Sequence, residues 1–398
     1  MRLSFIRRVS HLLLSRNSKD KSSRRRRSGR QTYCCSSVQT SVSSRKGEEQ
    51  RGKDFVTLPP VVYHPYYSLV EMPQGHRFPM AVFRRIYEKL VEKKLATDCN
   101  VYTPHLNETE LLREKVRVVH CDEYIDDFVN GRLSREKQRR IGLPWSEKLV
   151  TRTLSEIAGT MLTAELALEK GLACSCAGGT HHAHRSFGSG FCIFNDLAIT
   201  SKHLLDKYGD RVERILIVDL DVHQGDGTAA IFQQDKKKKN GSRLIEARDV
   251  KDYSDLRHKS VFTLSMHCES NFPARKEASD LDVPLPKGMG DENYLPLLAE
   301  VFTKCIREYK PDIVLYDAGV DVHKDDSLGF LELTDEGIFR RDATILDTCV
   351  GFGIPVAGYV GGGYSNDLDE LALRHCLLFE AASQAYQEHH DNAGALGL

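Results

Sequence analysis

An α/β fold built on a parallel sheet is what three features of the sequence predict. From about Phe55 onward, short β-rich apolar runs alternate with amphipathic segments at helical spacing, the runs read as strands buried on both faces, and polar residues gather where several of them end. Strands that alternate with helices need crossover connections, which make the strands parallel and cover both faces of the sheet.

The first 54 residues stand apart from this pattern. Residues 1 to 50 hold twelve Ser and thirteen Lys or Arg against three Asp or Glu, with the run Arg24 to Arg27 and one apolar patch, Leu12 to Leu14. That composition fits a transit peptide for a plastid or mitochondrion, the Arg run fits a nuclear signal, and an untargeted disordered tail is the third reading. The patch is too short for a secretory signal, so secretion is not expected. We divide the chain into a disordered basic segment at 1–54, one folded domain at 55–388 and a flexible tail at 389–398.

The next elements follow from periodicity. Met80, Phe83, Ile86, Tyr87, Leu90 and Val91 predict a helix, as do Leu154, Ile157, Met161, Ala164 and Leu168 before a stop at Gly171. Strands are predicted at Val116 to Val119, Leu172 to Ala177, Arg214 to Leu220, Val261 to Met266, Asp312 to Tyr316 and Pro355 to Val360. Gln233 to Arg243, with Lys236 to Lys239 and then Asn240-Gly241, is predicted as a solvated loop.

Charge and cysteines narrow the classes of function. The 398 residues are formally neutral, so beyond the basic first fifty the chain is acidic and has no general electrostatic reason to seek nucleic acid. No run approaches the roughly 18 apolar residues of a membrane span, so no membrane partner is expected. The eleven cysteines contain no CxxC pair and are odd in number, which favours reduced thiols over disulfides or zinc fingers.

Chemistry enters at the strand ends. Arg214 to His223 reads as a buried strand that acquires Asp219, Asp221 and His223, spaced by two and so on one side while the chain stays extended. Ligands of open parallel sheets bind beyond such carboxyl ends. Alone, an Asp-x-His is better read as a cap and a loop imidazole. A second run, Asp312 to Tyr316, ends in Asp317-Ala-Gly-Val-Asp321, and together Asp221, His223 and Asp321 make a three-donor set for a divalent metal. Zinc fits these mixed donors, and iron or cobalt almost as well. Asp317 is read as a cap or turn residue.

Gly178-Gly179-Thr180-His181-His182-Ala183-His184 brings two adjacent imidazoles able to divide proton work, with Asp219 and Asp226 as carboxylates to orient them. His184 is read as structural. In Gly188-Ser-Gly190-Phe191-Cys192-Ile-Phe-Asn-Asp196 the glycines admit close approach and Phe191 can line a slot. Tyr359-Val-Gly361-Gly362-Gly363-Tyr364 delivers a phenol able to donate to a developing oxyanion.

Gly-Gly-Thr-His-His, Gly-Phe-Cys-Ile-Phe-Asn-Asp, Asp-Leu-Asp-Val-His-Gln-Gly-Asp-Gly, Ala-Gly-Val-Asp and Gly-Gly-Gly-Tyr stand in the order and spacing of the zinc-dependent histone deacetylases, which the chain resembles over about residues 58 to 385. His76-Arg-Phe-Pro-Met80 and Asp221-Val-His-Gln look most like the class IV branch and its bacterial relatives, and the N-terminus suggests a plant member. The resemblance implies the arginase/deacetylase fold, a single eight-stranded parallel sheet with helices on both faces, and makes 55–388 the catalytic domain. It implies Asp221, His223 and Asp321 as ligands of one zinc ion, and His182 with Asp226 behind it as general base and acid. His181 with Asp219 is the implied electrostatic partner, and Tyr364 the residue that polarises the scissile carbonyl. Phe191 and Phe272 are the implied walls of an acyl-lysine tunnel, with Gly190 and Gly362 beside them. A structural potassium ion would use Asp219, Asp221, His223, Ser265 and Met266.

The implied activity is hydrolysis of Nε-acyl-lysine in histones or other proteins, with a corepressor or deacetylase complex as a possible setting and no sequence-specific nucleic-acid contact. Rival readings are a deacetylase of acetylpolyamines or small metabolites, a non-catalytic acyl-lysine or corepressor scaffold, and a dinuclear ureohydrolase. Ala-Gly-Val-Asp replaces the commoner Ala-Gly-Ala-Asp, the Tyr loop has three glycines where many relatives have four, and the acidic rim residue of the family is not identified.

Overall fold

Side chains at the ends of the central strands point toward one end of a single sheet, and the topology explains how they meet. The computed structural model describes residues 57–237 and 260–395. Its strands are β1 (Val61–Val62), β2 (Val101–Tyr102), β3 (Leu172–Ser175), β4 (Ile215–Asp219), β5 (Val261–Cys268), β6 (Leu281–Leu285), β7 (Ile313–Asp317) and β8 (Val356–Tyr359). All pair in parallel, in the order β2-β1-β3-β8-β7-β4-β5-β6. Strands β3, β4, β5, β7 and β8 are buried at every position, as expected for a sheet covered on both faces.

Helices supply that cover. They are α1 (Val82–Glu92), α2 (Asp122–Val129), α3 (Arg135–Ile141), α4 (Glu147–Lys170), α5 (Asp196–Lys207), α6 (Asp226–Lys237), α7 (Asp291–Tyr309), α8 (Asp335–Gly351) and α9 (Leu368–Ala395). The helix α4, which leads into β3, illustrates why the sequence folds so. The Ser146 hydroxyl accepts the Leu149 N–H at 3.1 Å to start α4, and the Gly171 N–H closes it on the Ala167 carbonyl at 2.7 Å. Of the expected apolar stripe, Leu154, Ile157 and Ala164 are fully buried, and Met161 and Leu168 are partly buried against the core.

Three expectations are corrected. Val116 to Val119 is helical, not a strand, following a π-helical turn at Leu111–Val116. Leu111, Val116 and Val119 are buried while Val118 is exposed, a helical spacing masked by the β-branched residues. Gln233 opens no loop, because α6 continues to Lys237, and lysines are good helix formers. The remainder of that stretch, to Arg243, lies outside the described residues, as does the segment 1–54. Likewise α9 runs to Ala395, past the tail boundary at 388.

All nine described cysteines are free, matching the reading of reduced thiols. Among the described residues no helix is long and apolar enough to cross a membrane.

Candidate active site

Strand register sets the first layer of the site. Asp219, the last residue of β4, stands beside Asp317 of β7 on one side and Ser265 of β5 on the other. Because β4 stops there, strand alternation does not place Asp221 and His223. Bonds to the neighbouring strand exits do: Leu220 N–H donates to the Asp317 carbonyl at 3.1 Å, Val222 N–H to Asp321 Oδ1 at 2.8 Å, and Cys268 N–H to the Val222 carbonyl at 3.0 Å. Beneath them the buried Arg341 of α8 donates to the Gly319 carbonyl at 2.5 Å, and its guanidinium pairs with Asp342 at 2.8 Å.

Asp221, His223 and Asp321 converge. His223 Nδ1 lies 3.0 Å from both Asp221 Oδ1 and Asp321 Oδ2, and the three donors fall within 4.8 Å of one another. Burial opposes a charge on His223, but the two carboxylates outweigh it and raise its pKa. Burial and the Asp221 charge push Asp321 up. With the His223 ring neutral, its nitrogen and the two carboxylates make a three-donor set suited to a divalent ion, whose charge would stand where the imidazolium proton does. The backbone is shaped around it: Gly362 N–H donates to Asp221 Oδ2 at 2.9 Å, and a Cβ on Gly362 would come within 2.5 Å of that oxygen.

The imidazole pair sits alongside, with ring centroids 4.1 Å apart. His181 Nδ1 meets Asp219 Oδ2 at 2.9 Å, and His182 Nδ1 meets Asp226 Oδ1 at 2.7 Å. Their charge states diverge. Burial disfavours a charge on His181, yet Asp219, Asp221 and Asp317 overcome it and raise its pKa well above the usual range. His182 is pulled down to about 4 by burial and by the charge of His181, against the opposing pull of Asp226. Neighbouring groups pushed in opposite directions are the mark of divided acid and base roles.

Aromatic rings frame the approach. Phe272, 44% exposed, has its centroid 4.9 Å from His182 and 6.4 Å from His223. Phe191 lies 5.9 Å from Tyr364, whose ring is 6.3 Å from His223. Phe191 adopts φ +66°, a left-handed conformation costly for an aromatic residue, and is held there by its N–H to the Ile141 carbonyl at 2.8 Å. Gly190 before it takes φ +51° and lies so close to His182 that a Cβ would stand 2.6 Å from that ring. Burial, with the nearby Asp321 and Asp221 charges, raises the Tyr364 pKa well above the usual phenol value and keeps the hydroxyl protonated.

Ser265 and Met266, expected near a potassium ion, are buried on β5, and Ser265 Oγ is engaged with His267 Nδ1 at 3.0 Å.

Asp317 is not a cap: neither of its oxygens takes part in a hydrogen bond, and Oδ2 lies 3.6 Å from His181 Nδ1. With His181 and Asp219 it forms a second buried group of possible metal donors. His184, read as structural, has its Nε2 3.0 Å from Asp226 Oδ2. Sequence reasoning also missed two tethers. Asp196 accepts from Gly179 N–H at 3.1 Å, Thr180 N–H at 2.8 Å and the Thr160 hydroxyl at 2.6 Å, fixing the loop that leads to the imidazoles. Asp326 holds the backbone of Tyr364. The available signal was the placement of Asp196 and Asp326 within or just after the motif segments, an acid with no role assigned.

The family model described as histone deacetylase domain matches residues 76–378. An uncharacterised protein of Picosynechococcus sp. is 47% identical over 327 residues, 82% of this chain and 99% of its own length. Histone deacetylase 2 of Arabidopsis thaliana is 24% identical, covering 76% of this chain and 74% of its own. The acetoin utilization protein AcuC of Staphylococcus aureus is 28% identical, over 70% and 67%. Among solved structures, the HDA15 HD domain superposes with a TM-score of 0.63 at 19% identity, covering 83% of this chain and 90% of that one.

Proposed function

The chain belongs to the histone deacetylase family, and from that premise we propose that it hydrolyses the amide of Nε-acyl-lysine in histones or other proteins, with Asp221, His223 and Asp321 as ligands of one zinc ion. The observation that carries the reading is the imidazole pair with separate carboxylates beside that donor set. A divalent ion bound there supplies Lewis-acid polarisation of the acyl oxygen and of water.

The chain's own groups do the rest. Asp226 is held below the usual carboxylate range, burial being outweighed by its bonds to His182 and His184, so it is ionised and can only accept. His182 therefore carries its proton on Nδ1 and presents an unprotonated Nε2. That nitrogen takes a proton from water and returns it to the departing lysine amine. His181, charged through Asp219 and its neighbours, contributes positive potential next to the reacting carbonyl. The Tyr364 hydroxyl donates to the oxygen on which negative charge develops. Phe191 and Phe272 form an apolar slot that a neutral acylated side chain enters at less cost than a charged lysine. A structural potassium ion at Asp219, Asp221, His223, Ser265 and Met266 belongs to the same reading, supported by Ser265 standing opposite Asp219 in the sheet.

Purified protein assayed against a panel of acyl-lysine peptides and acetylpolyamines, with and without chelator, tests the proposal. Chelator-sensitive release of acid from peptides supports it. Turnover of acetylpolyamines alone moves the assignment to small amines, and binding of acylated peptide with no turnover makes the protein a scaffold. For the segment 1–54 we propose an address in nucleus, plastid or mitochondrion, tested by a fluorescent fusion; a diffuse cytosolic signal defeats each.

A further inference from the structure

Asp226 is bonded by two imidazoles, one on each carboxylate oxygen: His182 Nδ1 at 2.7 Å on Oδ1 and His184 Nε2 at 3.0 Å on Oδ2. We propose that His184 is a positioning residue for His182, acting through Asp226; the inference rests on the hydrolase reading above.

The argument begins with the freedom of an aspartate. Its terminal torsion is broad, so a carboxylate held at one oxygen can swing and carry its partner with it. Held at both, it offers Oδ1 in one direction only, and His182 inherits that direction. Asp226 is buried at the start of α6, where an oxygen without a donor is costly. An ionised carboxylate has no proton to give, so His184 must be the donor through Nε2–H.

His184 is itself fixed. Its N–H donates to the Phe187 carbonyl at 2.9 Å, its carbonyl takes the His120 Nδ1 contact at 3.0 Å, and its ring stacks on Phe187 with centroids 4.3 Å apart and planes 18° from parallel. The Arg140 guanidinium lies over the same Phe187 ring, 4.7 Å from its centroid. A line of contacts therefore runs from α3, through Phe187 and His184, to the carboxylate that orients His182. A residue needed only to close the 181–187 turn would have no reason to aim its ring nitrogen at Asp226.

The test is a double-mutant cycle on the full chain with an acyl-lysine peptide. His184→Leu should lower kcat about tenfold, a part of the 10²- to 10⁴-fold that general acid–base catalysis supplies, with KM unchanged. His184→Gln, whose amide can donate to Asp226, should recover most of the loss. In an Asp226→Asn background His184→Leu should cost less than twofold, because the route it acts through is already altered. Should the Leu variant fail to fold, His184→Asn, too short to reach Asp226, takes its place with the same expected loss. A rise in KM matching the fall in kcat, a Gln variant as impaired as Leu, or losses that multiply in the double variant would overturn the proposal.

A wild-type chain that turns over none of the acyl amides defeats the hydrolase reading alone. The His184 link is then read by NMR from the His184 Nε2–H proton, expected to be protected from exchange in the wild type and to exchange freely in Asp226→Ala. Equal exchange in both overturns it.

Discussion

The carboxylate of Asp326 accepts the backbone N–H of Tyr364 at 2.7 Å, and the Tyr364 carbonyl in return accepts the Ser327 N–H at 3.0 Å. The other oxygen of Asp326 takes Leu328 N–H at 2.8 Å and Gly329 N–H at 2.9 Å, so one side chain ties the loop after β7 to the glycine loop after β8. Asp326→Ala should release the Tyr364 loop and lower kcat about tenfold or more while metal content holds. Steady-state kinetics with metal analysis checks this, and an unchanged kcat would show that the glycine loop keeps its place without the tie.

Tyr364→Phe removes only a hydroxyl. It should fold, keep its metal and bind acyl-lysine peptide normally, yet lose about 10² to 10³ in kcat, the usual cost of one oxyanion donor. Kinetics paired with a peptide titration separates the two effects, and a normal kcat would make Tyr364 a packing residue.

Asp221→Ala and Asp321→Ala should each lose metal and activity together, since each removes one of three protein donors. His182→Ala should retain metal and fall about 10²- to 10⁴-fold in rate, with His181→Ala milder. Elemental analysis beside turnover decides, and full metal content in either aspartate variant would put the centre elsewhere.

His120 gives a pH dependence of stability. It is buried, its Nδ1 facing the His184 carbonyl at 3.0 Å and its Nε2 accepting the Asn195 N–H at 2.9 Å, which leaves no place for a second proton. Burial lowers its pKa to about 3 from 6.5. Between those values the unfolded chain binds a proton that the folded chain does not. The stability His120 brings is therefore full above pH 6.5 and drains as the pH falls, by about 1.4 kcal/mol per unit and roughly 2 kcal/mol by pH 5. Urea unfolding at pH 7 and pH 5 should show a flatter dependence in His120→Asn than in the wild type, and parallel dependences would refute the assignment.

Much of this site could be read from the sequence because its chemistry is local in the chain. Asp219 to Asp226, His181-His182 and Gly361 to Tyr364 each announce a strand exit carrying polar groups. What escaped were long-range pairings that neither the local motifs nor the family resemblance supplied. His184 reads as structural because nothing in the sequence pairs it with Asp226, a partner that the family resemblance supplied for His182 alone. Asp317 looked like a cap because only the pairing of β7 with β4 shows that it faces Asp219 and His181. Val116 to Val119 misled through side-chain type, since its β-branched residues outweighed the spacing of Leu111, Val116 and Val119 that the helix obeys.

The last strand in the sequence is not last in the sheet. β8 lies between β3 and β7, with Val356 beside both Leu172 and Val314, so the sheet has a gap in its middle until residues 356–359 have been made. A growing chain thus cannot join its two half-sheets during most of its synthesis, and both edges facing the gap stay open for pairing with other strands. The imidazoles follow β3, the β4 acids come from beyond the gap, and Tyr364 follows β8 itself. Closure of the sheet and assembly of the site are therefore one late event, and no shortened chain ending before β8 can be active in part.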